Sequence, residues 1–566
     1  MKSGLYDANP ADASSDGRLD DSTTSAESST DEPTTGTAVS GDSKLPLGRG
    51  IALGLLATAS GLAVAELFVG LIRGSSSPVV PVGQEFIDVT PTWLKDWAIE
   101  QFGTNDKAVL VSGALIVVLG LGAIIGMLAV RGERVFAFAL TIAIGVMGAW
   151  AVWLRPEPSI GKFVPTIAGT VVSLAVLWWL APRPDVQDDA GTRTATPDRR
   201  QFVTGAVAIG SAAAVTGGVG RLLQQRFEVD RDFVLPGQDA SADEGVGVPV
   251  AAPEIEIDRA PALDGADLGV EGIESFVVPN DDFYRIDTSL VVPQVARDSW
   301  RLNISGLVDD EIELTFDDLL ARDQVERYIT LSCVSNPVGG DLVGNALWQG
   351  VLLAPILEDA GLQTGAEQLV SRSVDGWTCG SPIEAIMDGR DAMLAFGMNG
   401  EPLPAEHGFP VRIVVPGLFG YVSATKWVTD IRLTRWEDFD AYWVPRGWSK
   451  RGPVKTMARI DTPRGGRSVS GVVPVGGVAW AVHRGVSAVE VRVDGGEWTA
   501  ARTGSVPSAD TWVQWVFDFD TSTVESGRHA LEVRAIDGEG EPQPMEPQPV
   551  APNGAQGYHR LVLDVE

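Results

Sequence analysis

Along the first half of the chain, long apolar runs alternate with short polar breaks; after residue 266 the runs become short and mixed in period. A bilayer-spanning helix needs roughly 20 apolar residues in succession. Runs of that length lie near 51–72, 108–130, 134–154 and 163–181, and a weaker one, rich in Gly and Ala, at 202–220. The break Arg131-Gly-Glu-Arg134 is too short and too charged to be buried. The pattern predicts four transmembrane helices over 47–182 and a fifth helix over 198–222.

Further on, "WRLNISGLV" alternates like a strand, and "TFDDLLAR" offers a Thr N-cap with acidic residues in the first turn. "VRIVVPG" is a continuous apolar run stopped by Pro-Gly, as expected of a buried strand. Residues 266–450 therefore read as an α+β domain. Residues 455–566 are strand after strand, with Asp494-Gly495-Gly496 as a hairpin turn, and read as an immunoglobulin-like sandwich. Residues 1–46 are acidic and poor in apolar side chains, so disorder is expected there, and 223–265 reads as a linker. The expected fold class is multidomain: a transmembrane helical bundle, an α+β domain, then an all-β sandwich.

Charge narrows the partners. With 75 acidic against 43 basic residues the net charge is -32, which argues against nucleic acid, because phosphate binding needs a basic face. So acidic a surface fits a high-salt setting, where screening makes self-repulsion tolerable. With the N-terminus inside, inner segments carry Lys44, Arg49, Arg131, Arg134, Arg183, Arg193, Arg199 and Arg200, against Arg73, Lys95, Lys107, Arg155 and Lys162 outside. The positive-inside bias then puts everything after residue 222 on the extracellular face of the cell membrane. "PDRRQFVTGAVAIG" also resembles a twin-arginine export signal, with Arg199-Arg200 before Phe202 and a weakly apolar run. All four histidines lie after residue 400, which excludes histidine-ligated haem from the membrane part. Glu66, inside the first span, is either an intramembrane functional group or a hydrated boundary residue.

"YITLSCVSNPVGG" carries Cys333, one of two cysteines, at the end of a strand-like run. A thiolate there would bind metal or act as a nucleophile with His407 as base, and the following turn offers backbone amides to an anion. A buried inert cysteine is the plain alternative, and a Cys333–Cys379 disulfide is open to an exported domain. No CxxC spacing exists, which disfavours zinc and iron–sulfur sites.

"LSCVSNPVGGDLVGNALWQGVLL" (331–353), "MNGEPLPAEHGFPVRIVVPGLFGYVSATKWV" (398–428) and "VEVRVDGGEW" (489–498) occur in this order. Together they resemble the sulfite-oxidase family of molybdopterin enzymes, over roughly residues 266–566. The resemblance implies a molybdenum-molybdopterin cofactor with Cys333 as the metal's thiolate ligand. It implies His407 and Arg412 as holders of the pterin pyrophosphate, where a guanidinium grips phosphate oxygens. Lys426 and Thr425 fall in the segment that hugs the cofactor, and Tyr284 and Ser373 join the cofactor set, with Asp375 beside it. Arg285 matches the arginine facing an oxyanion substrate. Two departures follow: Ile286 and Asp287 stand where the family has Asn and His, and Trp448 best matches the pocket tyrosine, with Tyr442 in poorer register.

The function so implied is an oxidoreductase that moves an oxygen atom to or from a small oxyanion or S- or N-oxide. A sulfoxide-type reductase on the same fold, or a non-catalytic surface binding protein, are the alternatives. Without a haem, flavin or nicotinamide fingerprint, electrons are expected to pass to a separate protein or to quinone. The family also implies a homodimer through residues 455–566. The acidic surface predicts folding only above roughly molar salt. Thermal unfolding across a salt series checks this, and full stability in dilute buffer would contradict it.

Overall fold

The computed structural model describes residues 47–91, 94, 101, 106–155, 159–181, 199–237 and 257–566. The acidic tail expected over 1–46 and much of the expected linker, 238–256, lie outside them. Among the described residues six helices come first: α1 (Leu47–Leu71), α2 (Val79–Val89), α3 (Asp106–Val130), α4 (Arg134–Trp153), α5 (Ile160–Leu180) and α6 (Arg199–Gln225). Among the described residues, five helices, all but α2, are long and apolar enough to cross a membrane. They precede a soluble catalytic-type domain, the arrangement of a multi-pass membrane protein.

Helix α1 sits at the centre, packed on α3, α5 and α6. Lipid tails supply no hydrophobic drive between helices, so close van der Waals approach through small residues has to. A Cβ on Gly54 would collide with the carbonyl oxygen of Gly122 in α3, and one on Gly61 with the Ser173 hydroxyl and the Gly169 carbonyl in α5. Helix α6 runs parallel to α1: Arg49 lies 4.5 Å over the Phe202 ring at one end, and Gly70 meets Gly220 near the other. At one face of the bundle Arg134 donates to the Ala181 carbonyl (2.8 Å). At the opposite face Glu66 accepts from Gln224 Nε2 (2.8 Å) and Arg226 donates to the Leu71 carbonyl (3.3 Å). Glu66 thus sits near the C-terminal end of α1, beside the end of α6 from which the chain leaves the bundle.

The short helix α2 lies on that same face. Its Asp88 accepts from the Tyr442 hydroxyl (2.7 Å) and pairs with Arg446 (3.5 Å), while Arg155, just past α4, pairs with Glu85 and Asp88. Lys107, at the start of α3, reaches Asp287 (2.5 Å) and the Ser289 carbonyl (3.0 Å). Two bundle residues, Asp88 and Lys107, therefore fasten the α+β domain to the bundle. After α6 the chain also enters the hydrophobic core of the α+β domain, where Leu235 is buried and Phe233 packs edge-on to Phe316 at 5.5 Å.

The α+β domain has two sheets. In the first, Ile257–Asp258, Gln324–Ser332, Val343–Leu352, Met393–Met398 and Arg412–Val414 lie side by side in that order, with Glu401–Pro402 pairing to Met393–Met398. In the second the order is Ile312–Thr315, Arg301–Gly306, Val428–Thr434, Gln368–Ser373 and Thr378–Pro382. Met393–Met398 is buried along its whole length, which is why it reads as unbroken apolar sequence. Thr315 caps the helix Phe316–Leu320 in a capping box with Asp318, as its sequence predicts.

A distinct C-terminal β-rich region follows. Strands from its two sheets share a core that includes Trp515, Phe519, Val491, Val533 and Leu563. Asp494 (φ 50°) and Gly495 (φ 71°) form the turn anticipated after the strand Val486–Val493.

Gly54→Leu should push α1 off α3 and cost about 1–3 kcal/mol or more. Gly113→Leu, on α3 with open space around it, should cost far less. Thermal unfolding of the two variants in detergent compares them, and equal stability would refute the tight α1–α3 seam.

Candidate active site

Cys333 follows the last residue of the strand Gln324–Ser332. Its N–H donates to Leu342 O (2.9 Å) and its carbonyl accepts from Asn336 N (3.1 Å), so the chain turns at once. Asn336 Oδ1 ties the turn by accepting from Leu342 N (3.0 Å). The thiol therefore stands at a strand tip and lines a cleft of about 940 Å³, part of it open to solvent. Burial pushes the Cys333 thiol up, against hydrogen bonding from Ser335. Cys379 is buried elsewhere, among the Thr425, Ser381 and Ser371 hydroxyls, and burial pushes it up to about 11. Both cysteines are free thiols, which removes the disulfide alternative.

Arg412 opens the strand Arg412–Val414 and is buried. One terminal nitrogen donates to His407 O (3.1 Å), the guanidinium lies 4.9 Å over the Trp348 ring, and Nε has no partner. Among the described residues no carboxylate forms an ion pair with it. Burial pushes it down to about 10. A buried cation with an open donor and no counter-charge is costly unless an anion binds there.

His407 lies in the turn before it, where Gly408 takes φ 117°. A Cβ at Gly408 would press on Arg412 and Lys426 at 3.1 Å. Burial, and then the Arg412 guanidinium, push His407 down to about 4, so its ring is neutral. Its Nε2 donates to Asn280 O at 3.0 Å, and its ring stands edge-on to Phe283.

Lys426 donates to Asp287 Oδ2 (2.7 Å) and Glu406 O (3.0 Å), and lies 4.6 Å from the Trp427 ring centre. Burial pushes it down to about 8, against the pull of Asp287. Asp287 is held by three cations: Lys426, Lys107 and Arg285, whose Nε donates to it at 2.9 Å. Its side chain is only 4% exposed. Burial alone would raise its pKa, but the Lys426 and Lys107 ammonium groups hold its carboxyl well below the usual carboxylate range.

Of the residues singled out from sequence, Tyr284, Cys333, Ser373, His407, Arg412 and Lys426 line the cleft together. Two do not. Thr425 is fully buried behind the wall, its hydroxyl 2.6 Å from that of Ser371. Arg285 faces Asp287 rather than the cleft, with 37% of its side chain exposed. Trp448 lines the cleft, whereas the Tyr442 hydroxyl is engaged with Asp88. Sequence reasoning missed Tyr421, whose ring lines the cleft while its hydroxyl donates to Ser449 O (2.8 Å), and the aromatic wall of Trp377, Trp427 and Trp443. Tyr421 and Trp427 lie inside the 398–428 motif, and only their neighbours drew notice.

The fold and this cleft define a molybdopterin-binding oxidoreductase domain, and comparison with known proteins agrees. Residues 289–443 match the family described as oxidoreductase molybdopterin binding domain. The chain is 36% identical over 153 residues to the uncharacterized oxidoreductase YuiH of Bacillus subtilis, which is 27% of this chain and 74% of that one. It is 29% identical over 273 residues to human mitochondrial sulfite oxidase, covering 40% of this chain and half of the human one (50%). The solved sulfane dehydrogenase SoxCD of Paracoccus pantotrophus overlaps 58% of this chain and 97% of its own, at 23% identity and a TM-score of 0.44. The chain belongs to the molybdopterin-oxidoreductase superfamily related to sulfite oxidase, with candidate membrane-spanning helices upstream.

The His407 shift has a defined pH signature. The unfolded ring binds its proton near 6.5 and the folded one near 4, so stability is intact above 6.5 and is lost as pH falls to 4. That loss is at most roughly 3 kcal/mol. His407→Gln should flatten this part of the acid profile in thermal unfolding measured between those two pH values. An unchanged profile would contradict the neutral buried ring.

Proposed function

We propose that this chain is a membrane-anchored, molybdopterin-dependent oxidoreductase of the sulfite-oxidase type. Its catalytic domain covers 266–450 and stands on the extracellular face. The observation that carries the reading is the buried Arg412 guanidinium, with an open donor and no carboxylate partner, in the same cleft as Cys333. An anionic pyrophosphate suits the first and a high-valent metal the second.

In this reading the Cys333 thiolate holds the metal and the Arg412 guanidinium the cofactor's phosphates, while His407, neutral and with its N–H given to Asn280 O, shapes the turn beside them and supports Arg412 through its carbonyl. Tyr284, Ser373 and Lys426 flank the cofactor, while Thr425 fixes the wall from behind through Ser371. Molybdenum-molybdopterin, when bound, supplies the two-electron chemistry that moves an oxygen atom to or from a small substrate. The aromatic wall of Tyr421, Trp377, Trp427, Trp443 and Trp448 excludes water from that substrate. Arg285 acts by orienting Asp287.

The Arg199-Arg200 pair fits export of an already folded domain, which lets a cofactor be inserted before crossing. Residues 455–566 are read as an immunoglobulin-like dimerisation domain, and the electron partner as a separate protein or quinone.

Purified chain should carry about one molybdenum per molecule. Cys333→Ser should abolish oxidoreductase activity while leaving the fold intact by circular dichroism. Metal analysis with a substrate screen checks both, and an active preparation free of molybdenum would overturn the proposal.

A further inference from the structure

Cys333 stands between a strand and a turn, and the C-terminal β-rich region grips both. The strand is met three residues before the cysteine. Thr330 N donates to Asp510 O (2.9 Å), and Thr330 Oγ1 accepts from Trp512 N (2.8 Å). Trp512 is fully buried, and its Nε1 donates to Phe276 O (2.9 Å), so this segment is rooted in the core of the α+β domain. The turn runs from Cys333 to Leu342 and is closed at its base by the Cys333 N–H on Leu342 O. Near its tip stand Gly339 and Gly340, the residue type least able to hold a backbone by itself. Here Arg459 Nη1 donates to Gly340 O (3.0 Å). Arg459 is buried and held by Asp461 Oδ1, while Asp461 Oδ2 accepts from Glu274 N (3.1 Å). The His559 ring lies flush on Gly339, which takes φ 76°: a Cβ there would fall 2.5 Å from the ring's Cδ2 and Nε2. His559 Nδ1 accepts from Ile460 N (2.9 Å), which fixes the ring against the turn.

We infer that Arg459 and His559 are positioning residues, which clamp the turn 333–342 from the C-terminal region and so set the direction of the Cys333 thiol into the cleft. The consequence rests on the molybdopterin reading and deepens it: the metal's ligand is aimed by residues outside the α+β domain. A ligating side chain works only when neighbours with locked conformations hold it near its productive place. A turn with two glycines near its tip supplies no such lock. A buried guanidinium tied to a carboxylate, and an imidazole tied to a backbone amide, do supply it. Arg459 lies 119 positions from Gly340, so the clamp closes only when the C-terminal region docks.

The test is alkylation by N-ethylmaleimide of the full-length chain in detergent, produced without molybdenum and resolved by site in a mass spectrometer. Cys379, fully buried, is the internal reference. Arg459→Met should label Cys333 about fivefold faster than wild type and leave Cys379 unchanged. His559→Ala, which takes the ring off Gly339, should do the same, and Arg459→Lys, which keeps a donor, should return toward the wild-type rate. An unchanged Cys333 rate in both Arg459→Met and His559→Ala would overturn the inference. Faster labelling of both cysteines would overturn it too, since general loosening would then be the cause. Hydrogen–deuterium exchange of the wild type decides the matter if a variant fails to fold. The Cys333 and Leu342 amides should be as protected as those of the strand Met457–Thr462, and free exchange of the turn beside a protected strand would refute the clamp. Molybdenum analysis of wild type grown with the metal separates the two readings: a metal-free chain sinks the molybdopterin reading and leaves the labelling result standing.

Discussion

A guanidinium taken out of water with no carboxylate beside it is an expensive thing to fold around, worth several kcal/mol if nothing negative arrives. Arg412 is in that position, supported by a backbone carbonyl and an indole face alone. The surroundings are arranged so that the imbalance stays confined to one group. His407 is kept neutral, so no second cation is added beside Arg412. Lys426 is paired with Asp287. The effect is a cleft in which Arg412, unlike Lys426, has no carboxylate partner. An anion has its open donor there, and the thiol of Cys333 lines the same space.

How much of this could be read along the chain depended on how local each cause is. Five spans were legible because length and apolarity decide them. The Thr315 cap and the Asp494-Gly495 turn were legible because their partners lie within three residues. Cys333, His407, Arg412 and Lys426 were found through shared motifs, and the fold does bring them to one cleft. What escaped was non-local. Helix α2 has only 11 residues, too short to register as a span, and its role comes from a contact 354 positions away, Asp88 to Tyr442. Asp287 read as a departure from a family pattern, and its meaning depends on Lys107, 180 positions upstream, and Lys426, 139 downstream. Arg285 and Thr425 were placed in the cleft by motif, yet side-chain direction is settled by packing, and both point elsewhere.

The bundle and the catalytic domain are also more closely related than a tether would make them. Close glycine contacts fix α1 against α3, α5 and α6, so the ends of these helices present a defined face. On that face α2 and the start of α3 offer Asp88 and Lys107 to Tyr442 and Asp287. One of these two contacts ends on a residue that lines the cleft, and the other lies next to Trp443, which also lines it.

Because Lys107 and Asp88 belong to the membrane part, cutting the chain before residue 226 for a water-soluble preparation would remove more than an anchor. Asp287 would lose one of its three cations and Tyr442 its acceptor, both at the margin of the cleft. A soluble fragment would therefore present a cleft margin unlike that of the intact chain, and its behaviour would not stand in for that of the whole.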